Sequence, residues 1–221
     1  MADLFSPGGN AALEPALATK LIELLSSHTR QLVVFCDAQR RVRWVNPAFE
    51  LLTGYRLADV VGRKPAELLQ CPETDPRTIE RVRQALGRGE GIRVELLNQA
   101  RGGRRYWIDA DISPVRDGEG QVCGYVALQT DVTEQVHLRN RLQALFEGAS
   151  TGLVMQDSEG RITDANRQAQ HLLGLTREQL MGRESIDPRW RAVHEDLSPF
   201  PADEHPSMLT LRDGHGRRGV V

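Results

Sequence analysis

The chain has 221 residues, with 28 Lys plus Arg against 30 Asp plus Glu and a formal net charge of -2, so it lacks the global positive field that draws in nucleic acid or an anionic membrane. No apolar run approaches the roughly 20 residues that span a bilayer, and Met1 to Asn10 lacks the basic-then-apolar order of a secretory leader; a cytoplasmic protein without nucleic-acid or membrane partners is expected. Cys36, Cys71 and Cys123 are odd in number and not in metal-ligand spacing, which argues against a disulfide framework or a paired-cysteine zinc site.

Residues 1–10, with Pro7, Gly8, Gly9 and Asn10, read as a flexible lead-in. From Ala11 to Ser27, Leu13, Leu17, Leu21, Leu24 and Leu25 fall at helical spacing, predicting an amphipathic helix whose leucine stripe packs on its own domain or against a second subunit. Strands follow at Leu32 to Cys36 and Val42 to Val45, joined by a turn at Asp37 to Arg40. Asn46-Pro47 closes the second strand and starts a helix, because proline is pre-set for a first helical turn. A second helical piece ends at Val60, Val61 and Gly62, residues 66–71 read as a short turn, and Pro76 to Leu86 as a longer helix with Ile79, Val82 and Leu86 on one face. Alternating strands are then predicted at Ile92 to Asn98, Arg105 to Val115 and Val122 to Asp131, with glycine-containing turns between them. Two strands, several short helices and three strands make an α+β unit, an antiparallel sheet covered by helices.

Thr133 to Gly148 reads as a connector helix with Leu138, Leu142 and Leu145 at alternating four- and three-residue steps, a spacing suited to pairing with a partner helix. Beyond it the pattern begins again. Asp37, Arg41, Asn46, Leu52, Gly54, Gly62 and Arg63 recur 120 positions later as Asp157, Arg161, Asn166, Leu172, Gly174, Gly182 and Arg183. A repeat this long is a domain used twice and not a solenoid unit. The expected organisation is a lead-in and helix over 1–28, a first domain over 29–133, a connector over 134–148 and a second domain over 149–221. Only Gly219-Val220-Val221 stand where the second three-strand meander should begin. The expectation is therefore that the chain is a piece of a longer protein, or that another chain completes its second domain.

The residues Asp37, Asn46-Pro47-Ala48-Phe49, Thr53-Gly54-Tyr55, Gly62-Arg63, the stretch from Tyr106 to Val115 and the ending Gly124 to Glu134, with Asp131-Val132-Thr133-Glu134, resemble those of a PAS domain. The resemblance covers residues 30–134 fully and 145–221 in part, and implies two PAS domains in tandem, each a five-stranded antiparallel sheet covered by short helices, the second truncated. The first copy is similar to the flavin-binding branch that holds the LOV photoreceptors and the flavin redox sensors of nitrogen-fixation and methane-monooxygenase regulators. That resemblance implies Asn98 at the polar edge of an isoalloxazine ring, Gln129 near its O4 and N5 atoms, and Arg83 at the ribityl phosphate. It places Val34, Cys36, Leu69, Gln70, Ile79, Val82, Leu86, Leu96 and Ile112 along the walls. The residue types suit the chemistry. A flavin pyrimidine edge alternates carbonyl acceptors with an N–H donor, and an amide side chain offers both complements; buried, such groups are costly to leave unpaired.

Departures from the LOV pattern narrow the expectation. Where the photoreactive cysteine follows Gly-Arg-Asn, this chain reads Gly62-Arg63-Lys64-Pro65, and Ile108 replaces a second amide. Adduct photochemistry is not expected, and a redox sensor carrying FAD, chosen over FMN by analogy, is preferred. Haem is disfavoured because the first copy has only His28 and His137, both in flanking helices. The competing readings are a ligand-free interaction and dimerisation module, or a blue-light flavin sensor without a cysteine adduct. Asp109 and Asp111 lack an accompanying base or nucleophile, and His194-Glu195 lacks the second histidine of a zinc-protease helix; no catalytic residue or metal ligand is assigned. Homodimerisation through the flanking helices is expected. The output, a histidine kinase or a diguanylate cyclase, is expected downstream.

Overall fold

The computed structural model describes residues 29–182, 193–194 and 196–218. The helix predicted over 11–27 lies outside them, as do His28 and Trp190. The chain divides into two units with the boundary between His137 and Leu138, inside the connector helix.

In the first unit, β1 (Leu32–Asp37) buries Leu32, Val34 and Cys36 at every second position, the period of a strand with one face on a core. A turn returns the chain into β2 (Val42–Val45). Asn46 then performs two tasks with one side chain. Its Oδ1 accepts from the backbone N–H of Phe49 at 3.1 Å, capping helix α1 (Pro47–Thr53), and from that of Val33 at 2.9 Å, while its Nδ2 donates to the Gln31 carbonyl at 2.9 Å. Helix and strand are thereby fixed to each other through a fully buried amide. Gly54 ends α1 in the left-handed region at φ 73°, its N–H on the Glu50 carbonyl, a conformation that costs glycine nothing.

Short helices α2 (Leu57–Val60) and α3 (Pro65–Leu69) follow. The second replaces the turn expected over 66–71, because Pro65 supplies the fixed φ of a first helical position and Gln70 N–H closes the turn on the Ala66 carbonyl. Helix α4 (Pro76–Gly87) starts under an Asp75 cap that accepts from the N–H groups of Arg77 and Thr78. Strands β3 (Ile92–Gln99), β4 (Arg105–Arg116) and β5 (Val122–Asp131) form the meander. The sheet order is β2-β1-β5-β4-β3 with every neighbouring pair antiparallel. Chain order and sheet order differ because β1 pairs with the last strand, placing β5 at the centre. The register aligns one inner face: Asn98 opposite Tyr106, Ala110 opposite Gln129, and Ala127 between Ile112 and Val34.

Helix α5 (Thr133–Gly148) leaves directly from β5. Its start is tied to β4: Asp131 Oδ1 accepts from the Thr133 N–H and hydroxyl, and the Thr133 Oγ1 accepts in turn from the Trp107 N–H at 2.8 Å. Leu138, Leu142 and Leu145 are exposed along it.

The second unit contains β6 (Val154–Gln156) and β7 (Ile162–Ala165), paired antiparallel, then α6 (Arg167–Leu173), α7 (Arg177–Leu180), a 3-10 turn at Ala202–Glu204 and α8 (Pro206–Asp213). Asn166 repeats the Asn46 network, accepting from Ala169 and Leu153 N–H groups and donating to the Thr151 carbonyl. Ile162, Ala165, Ala169 and Leu180 make its core. Among the described residues this unit has no counterpart of β3 to β5.

Candidate functional site

A cavity of about 310 Å³ lies in the first unit, between the inner face of the sheet and helices α3 and α4. Its volume is at the lower end for small-molecule sites, about 300–1,000 Å³. β1 contributes Val34 and Cys36 to its wall, α3 and its C-cap Leu69 and Gln70, α4 Ile79, Val82, Arg83 and Leu86, β3 Leu96 and Asn98, β4 Ile112, and β5 Gln129. All twelve positions named from the sequence thus border one space. Arg40, Lys64, Pro65, Ala66, Ile108, Ala110, Tyr125 and Ala127 border it as well. The inward alternation of Ile108, Ala110 and Ala127 was legible in the strand pattern, but strand periodicity gives the face and not the depth at which core becomes cavity.

The wall is apolar with a few convergent polar groups. Asn98 is 3% and Gln129 6% exposed. Asn98 Oδ1, Gln129 Oε1 and the Tyr106 hydroxyl are all buried without a hydrogen-bond partner among the described residues. Each such atom costs about 1–3 kcal/mol when left unmatched, and native interiors rarely keep three together. The two amides come from opposite sides of β4, whose Ile108 and Ala110 lie between them. A planar heterocycle with N–H and carbonyl groups on its edge matches that donor and acceptor set.

Burial sets the state of the titratable groups around this space. It pushes the Cys36 thiol up to about 12, with the neighbouring Asp37 charge adding to the shift, so the thiol is neutral at physiological pH and is no nucleophile. Burial also raises the Tyr106 phenol well above its ordinary range, partly opposed by the adjacent Asn98 amide; although the two groups are neighbours across β3 and β4, neither oxygen is within good hydrogen-bonding geometry of the other. Tyr125 is different: its hydroxyl donates to the Leu86 carbonyl at 2.7 Å and fastens the last turn of α4 to β5.

Arg83 reaches the cavity margin, yet its guanidinium is already matched. Its Nε and Nη2 donate to the two carboxylate oxygens of Glu80 at 2.8 Å each, and Gln84 donates to the same carboxylate. Asp109, on the outer face, is held by Arg93 in a similar two-point pair, and that hydrogen bond keeps its carboxyl below the usual range. The described residues include no group of three or more His, Cys, Asp or Glu side chains able to hold a metal ion. None of their helices is long and apolar enough to cross a membrane.

Family models described as PAS domains match residues 31–134 and residues 140–205. Among curated proteins, the chain is 31% identical over 137 residues to the nitrogen fixation regulatory protein of Klebsiella pneumoniae, covering 59% of this chain and 28% of that protein. It is 32% identical over 126 residues to phototropin-2 of Oryza sativa, covering 57% and 14%. With a blue-light-activated histidine kinase of Brucella anthropi it shares 27% identity over 161 residues, covering 65% and 33%. The chain therefore spans a third or less of the length of these relatives. Among solved structures, an RNA-binding light-oxygen-voltage receptor is similar with a TM-score of 0.55 at 30% identity, covering 64% of this chain and 41% of that one.

Proposed function

The chain belongs to the PAS family and carries two PAS domains in tandem; from that premise we propose that the first is a flavin-binding redox sensor acting on an output elsewhere in a longer protein. The observation that carries this reading is the pair of buried amide oxygens, Asn98 Oδ1 and Gln129 Oε1, unmatched on the wall of one apolar cavity. In this reading Asn98 holds the pyrimidine edge, Gln129 faces the N5 and O4 side, and Val34, Leu69, Ile79, Val82, Leu86, Leu96 and Ile112 enclose the ring. Cys36 and Gln70 complete the wall. When bound, a flavin supplies reversible electron uptake that exchanges an acceptor for an N–H donor at N5. Gln129 reads that exchange because an amide can turn over and present either its oxygen or its nitrogen.

Gln129 stands two residues before Asp131, and Asp131 and Trp107 together hold the start of α5 through Thr133. A change in the strain on β5 therefore reaches α5 through three hydrogen bonds and no moving loop. The downstream partner is proposed to be a histidine kinase or a diguanylate cyclase, in a cytoplasmic homodimer paired through flanking helices. The neutral Cys36 and the Pro65 at the adduct position support redox sensing over adduct photochemistry. The test is the visible absorption of the purified protein, with mass identification of the released ligand. Flavin bands are expected, with retention or redox behaviour altered in Asn98→Ala and Gln129→Leu. A colourless protein that takes up no added flavin would leave a ligand-free interaction module as the better reading.

A further inference from the structure

Among the described residues, three cations, Arg40, Lys64 and Arg83, border the cavity and no carboxylate does. Arg83 is answered by Glu80, whereas the side chains of Arg40 and Lys64 have no ion pair or hydrogen bond among the described residues. These two stand on one rim. The β1–β2 turn is bound to the segment before α3 by Val42 N–H on the Arg63 carbonyl, Gly62 N–H on the Val42 carbonyl, and Arg41 Nη1 on the Gly62 carbonyl, at 2.8 to 2.9 Å.

Arg40 is also held where an L-residue is uncomfortable. Its φ is +64°, in the left-handed region. The same turn occurs in the second unit, where Asp157 and Arg161 repeat Asp37 and Arg41, and there the matching residue is Gly160 at φ +82°. The turn is made for glycine, and the unit with the cavity carries arginine instead. Strain kept at a ligand-facing position, where the repeat shows the unstrained alternative, points to use of the side chain.

We propose that Arg40 and Lys64 form an anion site at the cavity mouth that holds the diphosphate of a flavin dinucleotide, so that the chain selects it over flavins with one phosphate or none. This rests on the flavin reading above and names which flavin. A cavity of about 310 Å³ encloses one ring system and not a whole dinucleotide, so the charged part of the ligand lies at the mouth. There a guanidinium fork grips phosphate oxygens at two points and an ammonium adds a point charge. Arg83 keeps Glu80 and is not required.

The experiment titrates protein stripped of ligand with riboflavin, FMN and FAD, for the wild type, Arg40→Gly and Lys64→Gln, following flavin fluorescence. The wild type is expected to bind FAD most tightly. Each variant is expected to lose about tenfold in FAD affinity with riboflavin affinity unchanged, and added salt should weaken FAD binding more in the wild type than in the variants. Arg40→Gly installs the residue that the repeat itself uses, so its melting temperature without ligand should be equal or higher, which separates a binding role from a structural one. An FAD-to-riboflavin affinity ratio unchanged in both variants, or equal binding of FMN and FAD by the wild type, overturns this proposal while leaving the flavin reading intact. No binding of any flavin overturns both.

Discussion

Cys36 illustrates how strongly one buried position responds to its surroundings. Its folded-state value of about 12 lies above the ordinary 9.0, so between those limits the unfolded chain gives up a proton that the folded domain retains. Stability is then complete below about pH 9 and declines as pH rises toward 12, with a slope approaching about 1.4 kcal/mol per pH unit for this one group. Urea unfolding of the wild type and Cys36→Ala between pH 8 and 11 should show a shallower decline in the variant. Tyr106, shifted in the same direction, leaves a residual slope in both. Alkylation at neutral pH should label exposed Cys123 and spare Cys36, as read by peptide mass; equal labelling of both would contradict the buried placement of Cys36. At this scale the family resemblance singled out Asn98 and Gln129, and alternation put the apolar wall residues on the same inner face. The left-handed conformation at Arg40 had no sign in arginine itself, which has no turn preference to read, and only the glycine at the repeat position, Gly160, hints at it. The Tyr125 hydrogen bond to Leu86, closed over 39 residues, leaves no local pattern either.

Among the elements, one asparagine network occurs twice, once in each unit. Asn46 and Asn166 are each fully buried and each joins a strand to the helix that follows it. Replacing Asn46 by Ala strands a helix cap and a strand N–H together, and about 2 kcal/mol is the expected loss, which lowers the melting temperature of a domain of this size by roughly 10 °C. Gly124 is the corresponding position of close approach. A Cβ there would meet the Cys36 carbonyl oxygen at 2.6 Å and the Phe35 ring at 3.1 Å, so Gly124→Ala should disrupt the β1–β5 pairing and lower protein stability more than Gly118→Ala, where the added atom meets nothing. The strands were legible because their period is two and their turns carry glycine. Helix α3 was not, since five residues with one proline at the start look the same as a turn until the closing hydrogen bond is seen.

For the whole molecule, two units with separate cores need not unfold together. Calorimetry should resolve two transitions, with Asn46→Ala moving one and Asn166→Ala the other. If the first domain binds flavin as proposed, saturating flavin should raise only the transition that Asn46→Ala moves, by about 2.7 kcal/mol at a hundredfold excess over Kd. A single transition shifted by both substitutions would mean that the units share one cooperative structure. The exposed Leu138, Leu142 and Leu145 make a second expectation: if these side chains pair between copies, charged replacements at Leu142 and Leu145 shift light scattering from dimer to monomer without disturbing either transition.

The fastening of α4 by Tyr125 also has a bearing on time. On the flavin reading, a ring held between α4 and the sheet is released more readily when that helix loosens, and the phenolic hydrogen bond from Tyr125 to the Leu86 carbonyl holds its final turn to the central strand. On that reading the retention of a bound flavin depends in part on a bond that touches neither Asn98 nor Gln129. If the first domain carries flavin as proposed, Tyr125→Phe should leave its colour and midpoint potential nearly unchanged and release the flavin faster on dilution, which separates retention from detection.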